Sequence, residues 1–156
     1  MEIIKEGNIF ESKAQTLVNT VNCMGVMGKG LALEFKIKYP EMFTAYEKIC
    51  KQGMLNIGKL WIYKAENRWI LNFPTKYDWR KPSQEYYLEL GLEKFIETYQ
   101  QRGITSVAFP LLGASNGGLL PERSLEIMTY YLEKCEIPVT IYLGYNSGAP
   151  PLFKVP

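Results

Sequence analysis

The sequence predicts an α/β sandwich built on a mixed, largely parallel sheet. Short apolar strands alternate with amphipathic helical periods along most of the chain. Two of those strands run directly into glycine-bearing loops that open helices, the arrangement that puts ligand loops at the carboxyl ends of parallel strands.

Residues 2–5 and 16–21 read as strands, the second a nearly continuous apolar run of the kind buried on both faces. A helix over 29–39 carries Leu31, Ala32 and Phe35 on one face. Pro40 stops it and opens a second helix to about Lys51, which Gly53 closes. Residues 60–63 and 69–73 flank the polar turn Glu66-Asn67-Arg68 and suit a hairpin. Ser83 is a plausible N-cap, with Glu85 in the first turn, for a helix whose Leu88, Leu92, Phe95, Ile96 and Tyr99 share a face and whose stop is Gly103. Residues 106–109 form a buried strand, Pro121 starts a helix with Leu125, Met128, Leu132 and Cys135 on one side, and 139–143 make a last strand. The Gly/Pro-rich tail from Gly144 to Pro156 reads as irregular.

With 156 residues the chain has the size of one domain, 1–156, and no linker, repeat or low-complexity run divides it. Its apolar runs fall short of a membrane span, and MEIIKEGNIF has acidic residues where a signal peptide needs basic ones, so a cytoplasmic location without membrane partners is expected. Cys23, Cys50 and Cys135 are odd in number and far apart, which suits reduced thiols rather than a disulfide framework or zinc site. No metal or cofactor is expected, and the chain reads as a monomer. Histidine is absent altogether, which removes the commonest general base near neutral pH and every Ser/His/Asp or Cys/His arrangement. Lysine, carboxylate, cysteine, tyrosine or a substrate-bound water is left to do any chemistry.

The stretch NTVNCMGVMGKGLALEFK, residues 19–36, is suited to a phosphate-containing ligand. Gly25, Gly28 and Gly30 let a ligand approach the main chain, and the N–H groups opening the next helix lack intrahelical partners and favour an anion. Asn22 stands at the strand end with a carboxamide that can donate and accept, as a sugar hydroxyl requires. The alternative is that Gly25 and Gly28 are turn residues only. The loop is neither of two familiar phosphate cradles. Gly25 lies three residues before Gly28 and Lys29 is followed by Gly30 rather than Ser or Thr, so it is not a P-loop; a dinucleotide fingerprint begun at Gly28 would need glycine at Leu33.

Formal net charge is +2, from 18 basic and 16 acidic residues, too little for a general nucleic-acid binder. A local patch of Lys76, Arg80 and Lys81 beside Trp79 can meet phosphate and base, or be a solvated loop. Lysine attacks carbonyl-type carbons once partial burial or a neighbouring cation lowers its pKa, and Lys76 follows strand 69–73 at a strand end. Spacing alone favours a solvated lysine.

Nearly end to end, the chain resembles the macrodomain family of ADP-ribose-binding modules. EGNIFESKAQTLVNTVNCMGVMGKGLALEFK is similar to the family's opening strands and first ligand loop, and PLLGASNGGL to its diphosphate loop. Within the family, VNTVNCMGVMGKGLALEFK with KYPEMF, and above all LNFPTKYDWRKPS, most resembles the branch holding the DarG-type bacterial antitoxins, which remove ADP-ribose from DNA, and the terminal ADP-ribose protein glycohydrolase of animals. The resemblance implies a single three-layer α/β/α macrodomain. It puts Asn8 and Ile9 near adenine, Asn22 at the distal ribose, and Gly28, Lys29 and Gly30 around the diphosphate and distal ribose. Gly113, Ala114, Ser115, Asn116, Gly117, Gly118 and Leu119 would wrap the diphosphate from the other side, and Tyr145 or Asn146 would close on adenine.

The same resemblance makes Lys76 catalytic, attacking or activating the anomeric carbon, with a ring-opened Schiff base as one route, and makes Trp79, Arg80 and Lys81 nucleic-acid contacts. The implied substrate is ADP-ribosylated DNA or protein, and the implied partner a cognate ADP-ribosyltransferase toxin. A non-catalytic ADP-ribose reader and a hydrolase of ADP-ribosyl-glutamate or O-acetyl-ADP-ribose are the alternatives. The chain departs from its relatives at Asn8, where many macrodomains have aspartate, and at Ala114 and Gly117, where the animal glycohydrolase has cysteine and aspartate. It also has LLPERS in place of a tryptophan-containing run.

Overall fold

The computed structural model describes residues 1–144. Its elements are β1 (Glu2–Ile4), β2 (Thr16–Val21), α1 (Gly30–Lys38), α2 (Pro40–Lys51), β3 (Trp61–Lys64), β4 (Trp69–Pro74), α3 (Glu85–Thr98), β5 (Val107–Pro110), α4 (Pro121–Leu132) and β6 (Val139–Tyr142). One six-stranded sheet runs in the order β1-β6-β5-β2-β4-β3. Five strands are parallel, and β3 returns antiparallel on β4 through the polar turn, where the Ala65 N–H donates to the Arg68 carbonyl at 3.0 Å.

Alternation along the strands makes three layers. Val18, Leu71, Phe73, Val107, Phe109 and Ile141 face Leu88, Leu92 and Phe95 of α3 and Ile127, Met128 and Leu132 of α4. Leu17, Val21, Ile70, Ala108 and Tyr142 face Phe35 of α1 and Met42 and Tyr46 of α2. Gly91 is what lets α3 lie so close to β4, because a Cβ there would stand 2.3 Å from the Phe73 ring. Mid-sheet, Asn19 and Asn72 are register partners, and Asn19 Nδ2 donates to Asn72 Oδ1 at 3.1 Å. A buried polar pair of this kind penalises register slips, which would leave both amides unpaired.

One local expectation is corrected. Ser83 does not cap α3: Gln84 precedes the helix without a side-chain cap bond, and the Ser83 hydroxyl is spent elsewhere. The inward face of α4 carries Met128 and Leu132, with Leu125 and, past the helix end, Cys135 half-buried against the same core, and adds Ser124 and Ile127. Ser124 Oγ donates to the Leu112 carbonyl at 2.5 Å, which turns that face toward the loop after β5. No helix among the described residues is long and apolar enough to cross a membrane. The tail expected to be irregular lies outside them from residue 145 on, and so do Tyr145 and Asn146.

Candidate functional site

Because five strands are parallel, their carboxyl ends form one edge of the sheet, and the segments leaving that edge carry nearly all the residues singled out in the sequence. The loop after β2 holds residues 22–29 and leads into Gly30 of α1, the segment after β4 holds 75–83, the loop after β5 holds 111–119, and Asn8 and Ile9 follow β1.

In the first loop the glycines have different jobs. Gly25 is buried at φ +88 with its missing side chain toward Cys50 and Glu47 of α2, so it is a turn glycine. Gly28 is exposed with nothing but Val26 Cγ1, 3.6 Å away, near a Cβ built on it, so its space is open to a ligand. α1 then opens at Gly30 (φ +60) with no side-chain cap and no acidic residue in its first turn. Its amides therefore keep both their hydrogen-bonding capacity and the positive end of the helix dipole for an anion. Lys29 adds an exposed cation.

Asn22 is engaged within the loop. Its Oδ1 accepts from the Met24 N–H at 2.9 Å and the Val26 N–H at 3.3 Å, and its Nδ2 donates to the Val26 carbonyl at 2.7 Å. The Tyr46 hydroxyl lies 2.7 Å from the Asn22 carbonyl and 3.0 Å from Oδ1. One Nδ2 proton is left to offer a ligand.

The second loop faces the first. A 3-10 turn over Ser115–Gly117 is flanked by positive φ at Gly113 (+68), Ser115 (+54) and Gly118 (+81), and the Leu119 N–H closes it on the Gly113 carbonyl at 3.0 Å. Ser115, Asn116 and Gly118 are exposed, whereas Gly113 and Gly117 are buried. A Cβ at Gly30 would stand 3.0 Å from Asn116 Nδ2, which brings the two loops together.

Lys76 comes to the same place along the sheet. The β2–β4 ladder runs on past the strands, with the Thr75 N–H donating to Val21 and the Cys23 N–H to Tyr77, both at 2.9 Å. That sets Lys76 beside the first loop. Its ammonium donates to the Trp79 carbonyl at 3.3 Å, and its pKa lies below the usual lysine value, chiefly because half-burial strips solvent from the ammonium and further because of the Lys29 charge. Two other candidate groups near the first loop are held in their neutral, protonated forms. Burial pushes the Cys23 thiol up to about 12, with Cys50 adding to it, and pushes the Tyr46 phenol up as well.

Around Lys76 the rim is apolar and exposed: Met24, Val26, Tyr77 and Trp79. The Arg80 guanidinium sits 5.7 Å from the Trp79 ring centroid. Its charge is met by Asp78, with bonds of 3.0 and 2.9 Å, and Arg80 holds the Asp78 carboxyl down at about 2. Lys81 is exposed on the same loop. At the far end, Asn8 Oδ1 accepts from the Phe10 N–H at 3.0 Å, and the Ile9 side chain is in the core, so Ile9 has only main chain to offer a ligand.

Asp78, Ser83 and Tyr46 are the participants that sequence reasoning missed. Only Asp78, two residues before Arg80, carried a signal in the sequence.

The family model of the Macro domain matches residues 18–128. The chain belongs to the Macro domain family. This macrodomain is 50% identical over 117 residues, 72% of the chain, to a DNA ADP-ribosyl glycohydrolase of Mycobacterium tuberculosis. It is 38% identical over an alignment of 164 residues, 93% of the chain, to a DNA ADP-ribosyl transferase-DNA ADP-ribosyl glycohydrolase fusion protein of Thermosipho africanus. It spans 33% of the first of these relatives and 42% of the second. Among solved structures, the macrodomain of Mycobacterium tuberculosis DarG superposes with a TM-score of 0.86 at 43% identity, covering 90% of this chain and 96% of that one. Thermosipho africanus DarTG in complex with ADP-ribose superposes with a TM-score of 0.86 at 37% identity, covering 99% of this chain and 43% of that one.

Proposed function

We propose that this macrodomain is an ADP-ribosyl glycohydrolase that removes ADP-ribose from ADP-ribosylated DNA, with Lys76 as its catalytic residue. The observation that carries the reading is the position of Lys76: a half-buried amine at the carboxyl end of β4, alongside the first glycine loop and close to Lys29, with its pKa lowered. The names of the relatives support it, since they are DNA ADP-ribosyl glycohydrolases and one solved relative holds ADP-ribose.

The diphosphate lies between the α1 N-terminus with Lys29 on one side and the loop of residues 113–119 on the other. The distal ribose points to Asn22 and Lys76, and adenine extends toward Asn8 and the main chain of Ile9. A neutral Lys76 amine has two uses at the anomeric carbon. It adds its lone pair to C1″ as the bond to the modified base breaks and that bond's electron pair leaves on the base, which takes up the proton shed by the alkylated amine; water then adds at C1″, returns the amine and frees ADP-ribose. Alternatively the amine takes a proton from the group that does the displacing. Both need the uncharged amine, and the lowered pKa favours that form. Trp79 and Tyr77 offer flat faces for bases next to the modified one. Arg80 is largely neutralised by Asp78, which leaves Lys81 as the readier phosphate contact. The fused relative supports a partner that attaches the group this site removes, an ADP-ribosyltransferase of DNA.

The test is to offer the protein ADP-ribosylated DNA and ADP-ribosylated peptide side by side and follow release of ADP-ribose. Release from DNA but not from peptide is expected. Tight binding of ADP-ribose with no release from either would make the protein a reader.

A further inference from the structure

One residue bonds to both the lysine segment, through its side chain, and the diphosphate loop, through its main chain. Ser83, in the segment between β4 and α3, is 5% exposed. Its Oγ donates to the Thr75 carbonyl at 2.5 Å, and its main-chain N–H donates to the Gly117 carbonyl at 2.8 Å. Thr75 immediately precedes Lys76, and Gly117 lies inside the loop facing the α1 N-terminus. The fit is close: a Cβ at Gly117 would stand 3.2 Å from Ser83 Cβ, and one at Gly113 would stand 3.0 Å from Ser83 Oγ. Thr75 is itself buried, so its carbonyl loses a partner that water does not readily replace if the hydroxyl is removed.

We infer that Ser83 is a positioning residue, which sets the Lys76 amine relative to the diphosphate loop and so to the anomeric carbon of a ligand held there. The inference rests on the role proposed for Lys76. Its two bonds are separable, because the main-chain donor survives any substitution except proline, whereas the side-chain donor does not. Ser83→Ala therefore loosens the lysine segment and leaves the loop tied.

The experiment measures turnover of ADP-ribosylated DNA, affinity for ADP-ribose and thermal stability in wild type, Ser83→Ala and Ser83→Cys, the last keeping nearly the side-chain volume with a weaker donor. A kcat loss on the order of 10²-fold in Ser83→Ala, smaller in Ser83→Cys, with KM and ADP-ribose affinity little changed, is expected. Should Ser83→Ala not fold, Ser83→Cys alone carries the comparison. Wild-type kcat in both variants, or a loss of ADP-ribose affinity and melting temperature in step with kcat, overturns it. Amide exchange separates this claim from the functional one. If wild type releases nothing from DNA, the functional reading fails, yet ADP-ribose should still slow exchange over both 113–119 and 75–77 in wild type and over 113–119 alone in Ser83→Ala. Equal protection of 75–77 in both proteins overturns the positioning role.

Discussion

Gly28→Glu should abolish ADP-ribose binding without harming the fold. A Cβ at Gly28 meets only Val26 Cγ1 at 3.6 Å, the residue is exposed, and its φ lies outside the left-handed region, so the unliganded stability should stay within about 0.5 kcal/mol of wild type. A ligand gripped by two main-chain loops at roughly micromolar affinity binds with about −8 kcal/mol. At ADP-ribose a hundredfold above its dissociation constant, wild type gains about 2.7 kcal/mol, a rise in melting temperature of about 5–10 °C for a chain of this length. A carboxylate placed where phosphate sits should weaken binding about 100-fold or more, and the same ligand concentration then stabilises by no more than about 0.4 kcal/mol. Paired thermal scans with and without ADP-ribose measure both quantities. A full ligand-induced shift in Gly28→Glu would refute the placement of the ligand, and a drop of many degrees in its unliganded melting temperature would make Gly28 a structural turn. Gly117→Glu should behave differently and lower the unliganded value, since Gly117 is buried against Ser83.

Because both uses of Lys76 need the neutral amine, kcat/KM should rise with pH and level off above a pKa lower than that of an ordinary lysine. Lys29→Gln removes one cause of the lowering and should move that limb to higher pH, as added salt should in wild type; a limb that stays in place in pH–rate profiles would dismiss the coupling. Asp78→Asn should release Arg80 toward DNA phosphates and steepen the salt dependence of KM for the DNA substrate, with ADP-ribose affinity unchanged by calorimetry. Gly91→Ala, whose Cβ would stand 2.3 Å from the Phe73 ring, should cost about 1–3 kcal/mol in urea denaturation.

The fold was legible where local chemistry decides it. Pro40 and Pro121 each open a helix at the expected residue, 16–21 forms the expected strand in full, and Glu66-Asn67-Arg68 turns the expected hairpin. The alternation of strands and helices carried the three-layer arrangement and put both glycine loops on one edge. What stayed hidden depends on partners distant in sequence. Ser83 looked like a helix cap because cap preference is local, but a buried carbonyl eight residues earlier claimed its hydroxyl. The bonds that orient the Asn22 carboxamide, to Met24 and Val26 in the loop and from Tyr46 of α2, are likewise not visible in the sequence. Gly25 and Gly28 are indistinguishable by type, and only backbone angle and neighbours separate a turn from a ligand space. Lys76 was picked out by resemblance, and burial beside Lys29 is the physical ground that spacing alone does not provide.

The most direct test of the account is turnover of ADP-ribosylated DNA by Lys76→Ala and Lys76→Arg, measured alongside ADP-ribose binding. Both variants should bind ADP-ribose as wild type does and lose hydrolysis by about two orders of magnitude or more, about 2.7 kcal/mol of transition-state stabilisation. Arginine fails with alanine because a guanidinium keeps the charge and does not deprotonate to act as nucleophile or base. Wild-type turnover in either variant would contradict the account and leave Lys76 as a charge at the rim of a binding site.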